Sequence, residues 1–466
     1  MDARPVERRF AARRTSRFWP LPCGLLTIGL VCCGARASRS GSAERLPTHD
    51  VSTRPAPTAA VAQGGATSTA TAATPSPAPE AAATDAPAGF VPAPELGRFV
   101  PITCTAPRPG DPDGLPQQFL DLAVAPDGSA WVVGMPSVRL HVTAAGATPF
   151  APVSVSKRCY PPPLTVTCDA YSALSAIAVR GAGEAYVAGG LGCGLDPNCV
   201  WSRDLDVFDG SSWRPLPGSG STAPEGLRPR TLAVAPESAL YAIAVHERAP
   251  AYPDDEAIAK YGPGGWRTLR LGMSPAALRP FQLAAAEPGK MPPVDPKLEF
   301  ESYARLDVVG RDVVWVAGAL MNVRLLVHGS VTGGPPDGYQ KAAAWRLSQG
   351  QWQRFDVPAG QLVDISAVSA TEAWAVGDGL WHFKGELVES VPVDLAKGDV
   401  LTTVWAAPTG EIWLGTRGDA VLVLKEGRTR QVALLDKEVR QPRLRGHGRD
   451  VWVTGGRCVW KWQPPP

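Results

Sequence analysis

The stretch LTTVWAAPTGEIWLG (401–415) alternates apolar and polar side chains, turns on Pro408-Thr409-Gly410, and resumes with Trp413 near the start of a second run that closes on Gly415. A period of two sends successive side chains to opposite faces of a strand, and a tight polar turn between two such runs reads as a β-hairpin. The same unit recurs as LDLAVAPDGSAWVVG (120–134), LSAIAVRGAGEAYVAGG (174–190), RTLAVAPESALYAIA (230–244), RLDVVGRDVVWVAG (305–318), VDISAVSATEAWAVG (363–377) and RLRGHGRDVWVTG (443–455). The aromatic markers Trp131, Tyr186, Tyr241, Trp315, Trp374, Trp413 and Trp452 are 55, 55, 74, 59, 39 and 39 residues apart. In several copies a third strand and a turn follow, with Trp opening a fourth strand, as in DVFDGSSWRPL (206–216), IAKYGPGGWRTL (258–269) and AAAWRLSQGQWQRF (342–355).

Strand patterning that repeats at roughly 40–50 residues is the mark of a propeller blade. The fold expected is all-β, a seven-bladed β-propeller over 96–466, with six or eight blades as alternatives. Composition agrees, since 48 Gly and 48 Pro among 466 residues disfavour a helical protein and favour short strands joined by turns. The aromatic markers are expected to fill the wedge between neighbouring blades.

The unit resembles the Trp-containing repeats of bacterial extracytoplasmic propellers. VWAAPTGEIWLGTRGDAVLVL (404–424) in particular is similar to the propeller repeat of two-component regulators. The resemblance covers about 370 residues. It implies a fold, and it implies little about activity because proteins of many activities share the repeat.

Arg4, Arg8, Arg9, Arg13, Arg14 and Arg17 precede an apolar run, Leu21 to Val31, that is too short to cross a ~30 Å hydrocarbon core as a helix. These are the basic and hydrophobic parts of a signal peptide. Leu30-Val31-Cys32-Cys33-Gly34 resembles the lipobox of bacterial lipoproteins, which implies acylation of Cys33 after removal of residues 1–32; Cys32 stands where that family prefers a small residue. Ordinary secretion is the competing reading, because Ala35-Arg36-Ala37 also fits a cleavage site. An uncleaved anchor is a third. The location expected is the bacterial cell envelope, periplasmic or surface-facing, with the membrane touched through the lipid alone; the alternative is a secreted protein.

Residues 33–95 form a tether. Within 51–95 there are 15 Ala, 8 Pro and 7 Thr but only four charged residues, a composition that cannot offset the entropy of ordering it, so disorder is expected. The whole chain carries 46 basic against 44 acidic side chains, and removal of 1–32 takes six Arg and two acids, leaving 40 against 42. Nucleic acid is therefore not an expected partner.

The seventh copy ends with CVWKW (458–462) and three prolines, one strand short of a blade, while GRFVPITC (97–104) precedes the first copy with nothing of its own to pair with. The N-terminal strand is expected to complete the last blade. Past the lipobox six cysteines remain, an even number in an oxidising compartment, and six allow 15 connectivities. Cys159 with Cys168 and Cys193 with Cys199 are local pairs within loops. That leaves Cys104 for Cys458, a clasp across the closure.

The first-to-second strand turns (PDG, GAGE, GRD, ATE, PTG) are tight, so one face of the ring is plain. Insertions gather on the other: GLGCGLDPNCVWSRD (190–204), HERAPAYPDDEA (246–257), MNVRLLVHGSVTGGPPDGY (321–339), KRCYPPPLTVTCDAY (157–171) and 271–303. Long loops on a rigid scaffold are where binding resides. The candidate ligand surface over copies two to four has aromatic contacts Tyr160, Trp201, Tyr252 and Tyr339 and polar contacts Arg203, His246, Asp254 and Asp255. Solvated loop residues pinned by disulfides are the bland alternative.

Catalytic signatures are sparse. The histidines at 49, 141, 246, 328, 382 and 447 show no metal-ligand spacing, and neither a nucleophile elbow nor a phosphate loop occurs. Asp204-x-Asp206-x-x-Asp209-Gly210 and Pro126-Asp127-Gly128 read as strand and turn chemistry rather than as metal or ligand sites. No catalytic residue, metal or cofactor is expected. The inner strands read mostly as Leu, Ala, Val and Ser, against a cluster of catalytic acids, although two acids meeting in a propeller funnel need no proximity in sequence. The function expected is a non-catalytic binding or scaffold module, a monomer, for an envelope or surface protein or a glycan. The alternative is a hydrolase or lyase acting on polysaccharide.

Overall fold

The computed structural model describes residues 97–105, 118–135, 138–150, 171–192, 203–216, 227–235, 237–246, 255–272, 299–322, 340–435 and 442–465. They build seven four-stranded antiparallel sheets, so the count of blades is seven. From the innermost strand outward, blade I holds Gln118–Val124, Ala130–Met135, Val138–Thr143 and Gly146–Pro149; blade II holds Tyr171–Gly181, Glu184–Gly192, Arg203–Phe208 and Trp213–Pro215. Blade III holds Leu227–Ala233, Tyr241–His246, Asp255–Gly262 and Gly265–Leu271; blade IV holds Glu299–Val309, Val313–Asn322, Gln340–Ser348 and Gln351–Asp356. Blade V is Leu362–Ala367, Glu372–Gly377, Leu380–Lys384 and Leu387–Val391, and blade VI is Leu401–Ala406, Ile412–Thr416, Ala420–Lys425 and Arg428–Leu434. Blade VII takes Arg443–His447, Asp450–Gly455 and Cys458–Gln463 from the C-terminal end and Arg98–Cys104 as its outermost strand.

Each inner strand touches the inner strand of the next blade, and that of blade VII returns to blade I, which closes the ring around a central channel. The seam in blade VII is the expected one. Arg98 pairs with Gln463, Phe99 with Trp462 and Cys104 with Cys458, and the last pair is joined by a disulfide with the two Cα atoms 4.1 Å apart.

The core is divided into layers between blades. Leu444 of blade VII packs among Trp405, Trp413 and Val421 of blade VI, and Leu122 of blade I among Trp452 and Val459 of blade VII. The aromatic markers lie in these layers as expected: Trp131, Tyr186, Tyr241, Trp315, Trp413 and Trp452 are all buried. Trp374 is only half-buried and stacks on His382 with ring centroids 4.0 Å apart.

A second regularity was not read from sequence. The residue directly across from the marker on the third strand is basic in five blades: His141 opposite Trp131, Lys260 opposite Tyr241, Arg346 opposite Trp315, His382 opposite Trp374 and Lys461 opposite Trp452. Lys260, Arg346 and Lys461 place their charges 5.4, 5.3 and 5.0 Å from the partner ring, within reach of a cation–π attraction.

In blades I to VI the inner strand carries a register shift near its start, between Phe119 and Asp121 in blade I and between Leu362 and Asp364 in blade V, for example. The bulge turns the strand and explains why so many copies close on Gly. A Cβ on Gly134, Gly318 or Gly377 would collide with the backbone carbonyl of Gln118, Ser302 or Gln361 respectively.

Candidate functional site

Aligned on their aromatic markers, the copies place one residue at the same point of every inner strand, ten before the marker in blades I to VI and nine before it in blade VII. These residues are Asp121, Ala176, Thr231, Arg305, Asp364, Thr403 and Arg443. In the shared register each faces the second strand at the equivalent step. Two residues further on come Asp307, Ser366 and Arg445 in blades IV, V and VII.

These side chains answer a problem of the architecture. The inner edge of an innermost strand has no neighbour to pair with, and its amides need acceptors. Polar side chains of one blade supply them to the next. Asp121 accepts from the Ile177 amide at 3.3 Å, Asp364 from the Val404 amide at 3.1 Å, and Thr403 from the Leu444 amide at 3.3 Å. One step on, Asp307 accepts from the Ala367 amide at 2.8 Å and Ser366 from the Ala406 amide at 3.1 Å.

The acids are neutralised by arginines. Asp364 receives both terminal nitrogens of Arg445 at 2.9 Å, together with the Thr403 hydroxyl at 2.7 Å. Burial pushes the Asp364 carboxyl up, but the charge and hydrogen bonds of Arg445 outweigh it and hold the group at about 2. Among the described residues Asp307 has no arginine at hydrogen-bond distance, and burial raises it above the ordinary carboxylate value. Arg305 reaches across the channel from blade IV to Asp121 of blade I, at 3.2 and 3.3 Å.

Arg443 differs. Its guanidinium makes no hydrogen bond or ion pair among the described residues, and it is half-buried. Burial lowers its pKa to about 10, with the nearby charges of Arg305 and Arg445 adding to the effect against the pull of Asp121 and Asp364.

These six charged residues correct the reading of the inner strands as mostly Leu, Ala, Val and Ser. Asp121 and Asp364 stand alone among apolar neighbours, Arg305 with Asp307 and Arg443 with Arg445 sit two apart, and only the alignment of copies on the marker brings the six together. Among the described residues no group of three or more His, Cys, Asp or Glu could hold a metal ion. Asp206 is buried in an ion pair with Arg139, and the Asp209 carboxylate caps the turn through the Ser211 and Ser212 amides at 3.1 and 3.0 Å.

A second polar cluster underlies the loop-bearing face between blades III and IV. Arg270 holds Glu301 through two nitrogens at 2.6 and 2.5 Å, and Arg230 sits 2.9 Å from Glu256. Glu256 also accepts from the Tyr303 amide at 2.5 Å, and the Tyr303 hydroxyl donates to Glu301 at 2.5 Å. Glu256, Arg270 and Glu301 lie near the strand ends where the connections 247–254 and 273–298 depart. The longest connections, among them 193–202, 247–254 and 323–339, lie on this face, while the 234–240 turn of blade III is the longest of the first-to-second connections on the other.

Of the residues expected to contact a ligand, His246 and Asp255 are brought together as cross-strand partners, and His246 also pairs with Leu227. Arg203 opens the third strand of blade II opposite Gly190. Tyr160, Trp201, Tyr252, Asp254 and Tyr339 lie outside the described residues, as do Cys33, Cys159, Cys168, Cys193, Cys199 and the whole of 1–96.

No family model matches the chain, and no curated protein sequence matches it. Solved structures do. The chain is similar to YCF48 from Cyanidioschyzon merolae, at 14% identity over 79% of this chain and 99% of that one, with a TM-score of 0.48. It is similar to the WD40 β-propeller domain of Doa1 at 8% identity over 78% and 97%, TM-score 0.44. A streptogramin B lyase matches at 10% identity over 79% and 98%, TM-score 0.40.

Proposed function

We propose that the chain is a non-catalytic binding module, held at the bacterial cell envelope by an acylated Cys33 and the tether 33–95, that offers its loop-bearing face to a protein or a glycan. What carries the reading is the condition of the channel acids. A propeller enzyme needs a carboxylate or an imidazole free to exchange a proton with its substrate. Asp364 instead accepts five hydrogen bonds, from the Ile365 and Val404 amides, the Thr403 hydroxyl and two nitrogens of Arg445. Asp121 is held by Arg305 and the Ile177 amide, and Asp307 by the Val308 and Ala367 amides. They serve as latches between blades. The longest connections lie on one face, and the Arg270–Glu301 and Arg230–Glu256 pairs stiffen the roots of the loops there.

The test has two arms. Metabolic labelling with palmitate should mark the full chain and not its Cys33→Ser variant. Replacement of 247–254 and 323–339 by short Gly-Ser turns should abolish capture of the partner from an envelope extract while leaving the propeller folded. Release of reducing ends or unsaturated uronides from envelope polysaccharide by the purified protein would instead establish the lyase or hydrolase reading.

A further inference from the structure

We propose that the central channel is a binding site for a small oxyanion, carboxylate or tetrahedral, gripped by the Arg443 guanidinium and the main-chain amide of Leu122. The inference is independent of what the loop-bearing face recognises.

The inter-blade latch sets a rule. The residue ten before the marker accepts a hydrogen bond from the amide one step further along the next inner strand, and the acceptor is a carboxylate or hydroxyl: Asp121 for Ile177, Asp364 for Val404, Thr403 for Leu444. Between blades VII and I the rule cannot operate. The position belongs to Arg443, which can only donate, and the amide it should receive is that of Leu122, which also only donates. Leu122 faces Val132 in the register by which Ile177 faces Val187 and Val404 faces Leu414, so its amide is turned to the channel in the same way.

Asp121, Asp364 and Thr403 supply acceptors at this position. Arg305 is the other donor there, but the amide it would receive, that of Ile365, goes to the Asp364 carboxylate. At Leu122 no such acceptor is found among the described residues, and the register places two donors side by side. The neighbouring acids cannot fill the gap, because Asp121 is taken by Arg305 and Asp364 by Arg445. Arg305 and Arg445 add positive potential on either side. A guanidinium beside a main-chain amide is a fork that matches a carboxylate or one edge of a sulfate. Arg443 is half-buried rather than sealed, so an ion can arrive from solvent.

Isothermal titration of the full chain with sodium sulfate and with sodium acetate, at constant ionic strength, reads the site directly. One ion should bind per chain, and the preference between the two salts tells a tetrahedral anion from a carboxylate. Arg443→Met keeps the length of the side chain and removes its charge, and should weaken binding by about tenfold or more, the size of a hydrogen bond to a charged group. Arg449→Met, at an exposed turn of the same blade, should bind as the parent does. Should Arg443→Met fail to fold, the nitrogen-15 amide signal of Leu122 in the parent protein gives the answer, since it should move on titration. Binding of neither salt by the parent, equal binding by folded Arg443→Met, or an unmoved Leu122 signal would each overturn the proposal.

Discussion

Arg305 and Asp121 are separated by three blades of the ring, yet the two terminal nitrogens of Arg305 stand 3.2 and 3.3 Å from the two carboxylate oxygens of Asp121. The pair crosses the channel and ties opposite sides of the propeller together. Both side chains are nearly sealed, at 9% and 5% exposure. Removing one partner leaves an uncompensated buried charge, which costs about 3–5 kcal/mol. Arg305→Met and Asp121→Leu are each expected to destabilise the chain by that order in urea unfolding. The double variant should be close to the parent, because the pair's attraction is offset by the desolvation of both ions. Additive losses would show that the bridge itself is a net stabiliser.

Asp364 makes stability depend on acid. Its carboxyl sits at about 2 in the fold against 3.8 when free, so ionisation favours the folded state. A depressed carboxylate contributes stability that is complete above the free value and is lost as pH falls through the folded value. The window is therefore about pH 4 to 2, and the contribution is about 2 kcal/mol. Urea midpoints of the parent should fall across this window more steeply than those of Asp364→Asn, which has no proton to take up and starts from a lower plateau.

Gly318 tests the packing of the bulge. A side chain there would collide with the Ser302 carbonyl. Gly318→Ala is expected to cost about 1–3 kcal/mol, in the range of overpacked cores. Gly181→Ala is the comparison, because a Cβ at that position meets nothing within 4 Å. Thermal melts should show a clear drop for the first variant and little change for the second.

The Cys104–Cys458 bridge closes a loop of 354 residues, so its loss should be felt chiefly through the unfolded chain. The chain-entropy estimate for loops beyond 100 residues is about 4–5 kcal/mol. Cys104→Ser should lower the unfolding midpoint accordingly, and hydrogen exchange should accelerate first in 98–104.

The architecture was legible because its signal repeats. Seven aromatic markers, the turns before them, an orphan strand at the start and a blade one strand short at the end give the blades, the ring and its closure, and setting aside two local cysteine pairs leaves Cys104 for Cys458. The channel was not legible for a physical reason. Asp121 in LDLAV and Asp364 in VDISA look like solvent-facing strand positions of an alternating pattern, since period two does not tell water from a neighbouring blade. Only the distance to the marker, ten residues in blades I, IV and V and nine in blade VII, reveals that Asp121, Arg305, Asp364 and Arg443 occupy one ring. The basic residues opposite the markers escaped for the same cause, because Lys260 and Lys461 are ordinary surface residues until the third strand is paired with the second. On the loop-bearing face His246 and Asp255 were expected as polar contacts of one surface; that they are cross-strand partners follows from a register the insertion between them hides.

The order of events along the seam in blade VII has a mechanical consequence. The chain enters this strand at Arg98, opposite Gln463, and the covalent link lies at the other end, at Cys104 and Cys458. A pull on Gly97 directed across the strand opens the pairs in turn, Arg98 with Gln463, then Phe99 with Trp462, towards the sulfur link. There the opening stops. The freed strand stays leashed beside its own slot, and when the tension ends it closes again without a search through space. A propeller hung by its N-terminus would thus yield to force at one seam, by a few residues, and reversibly.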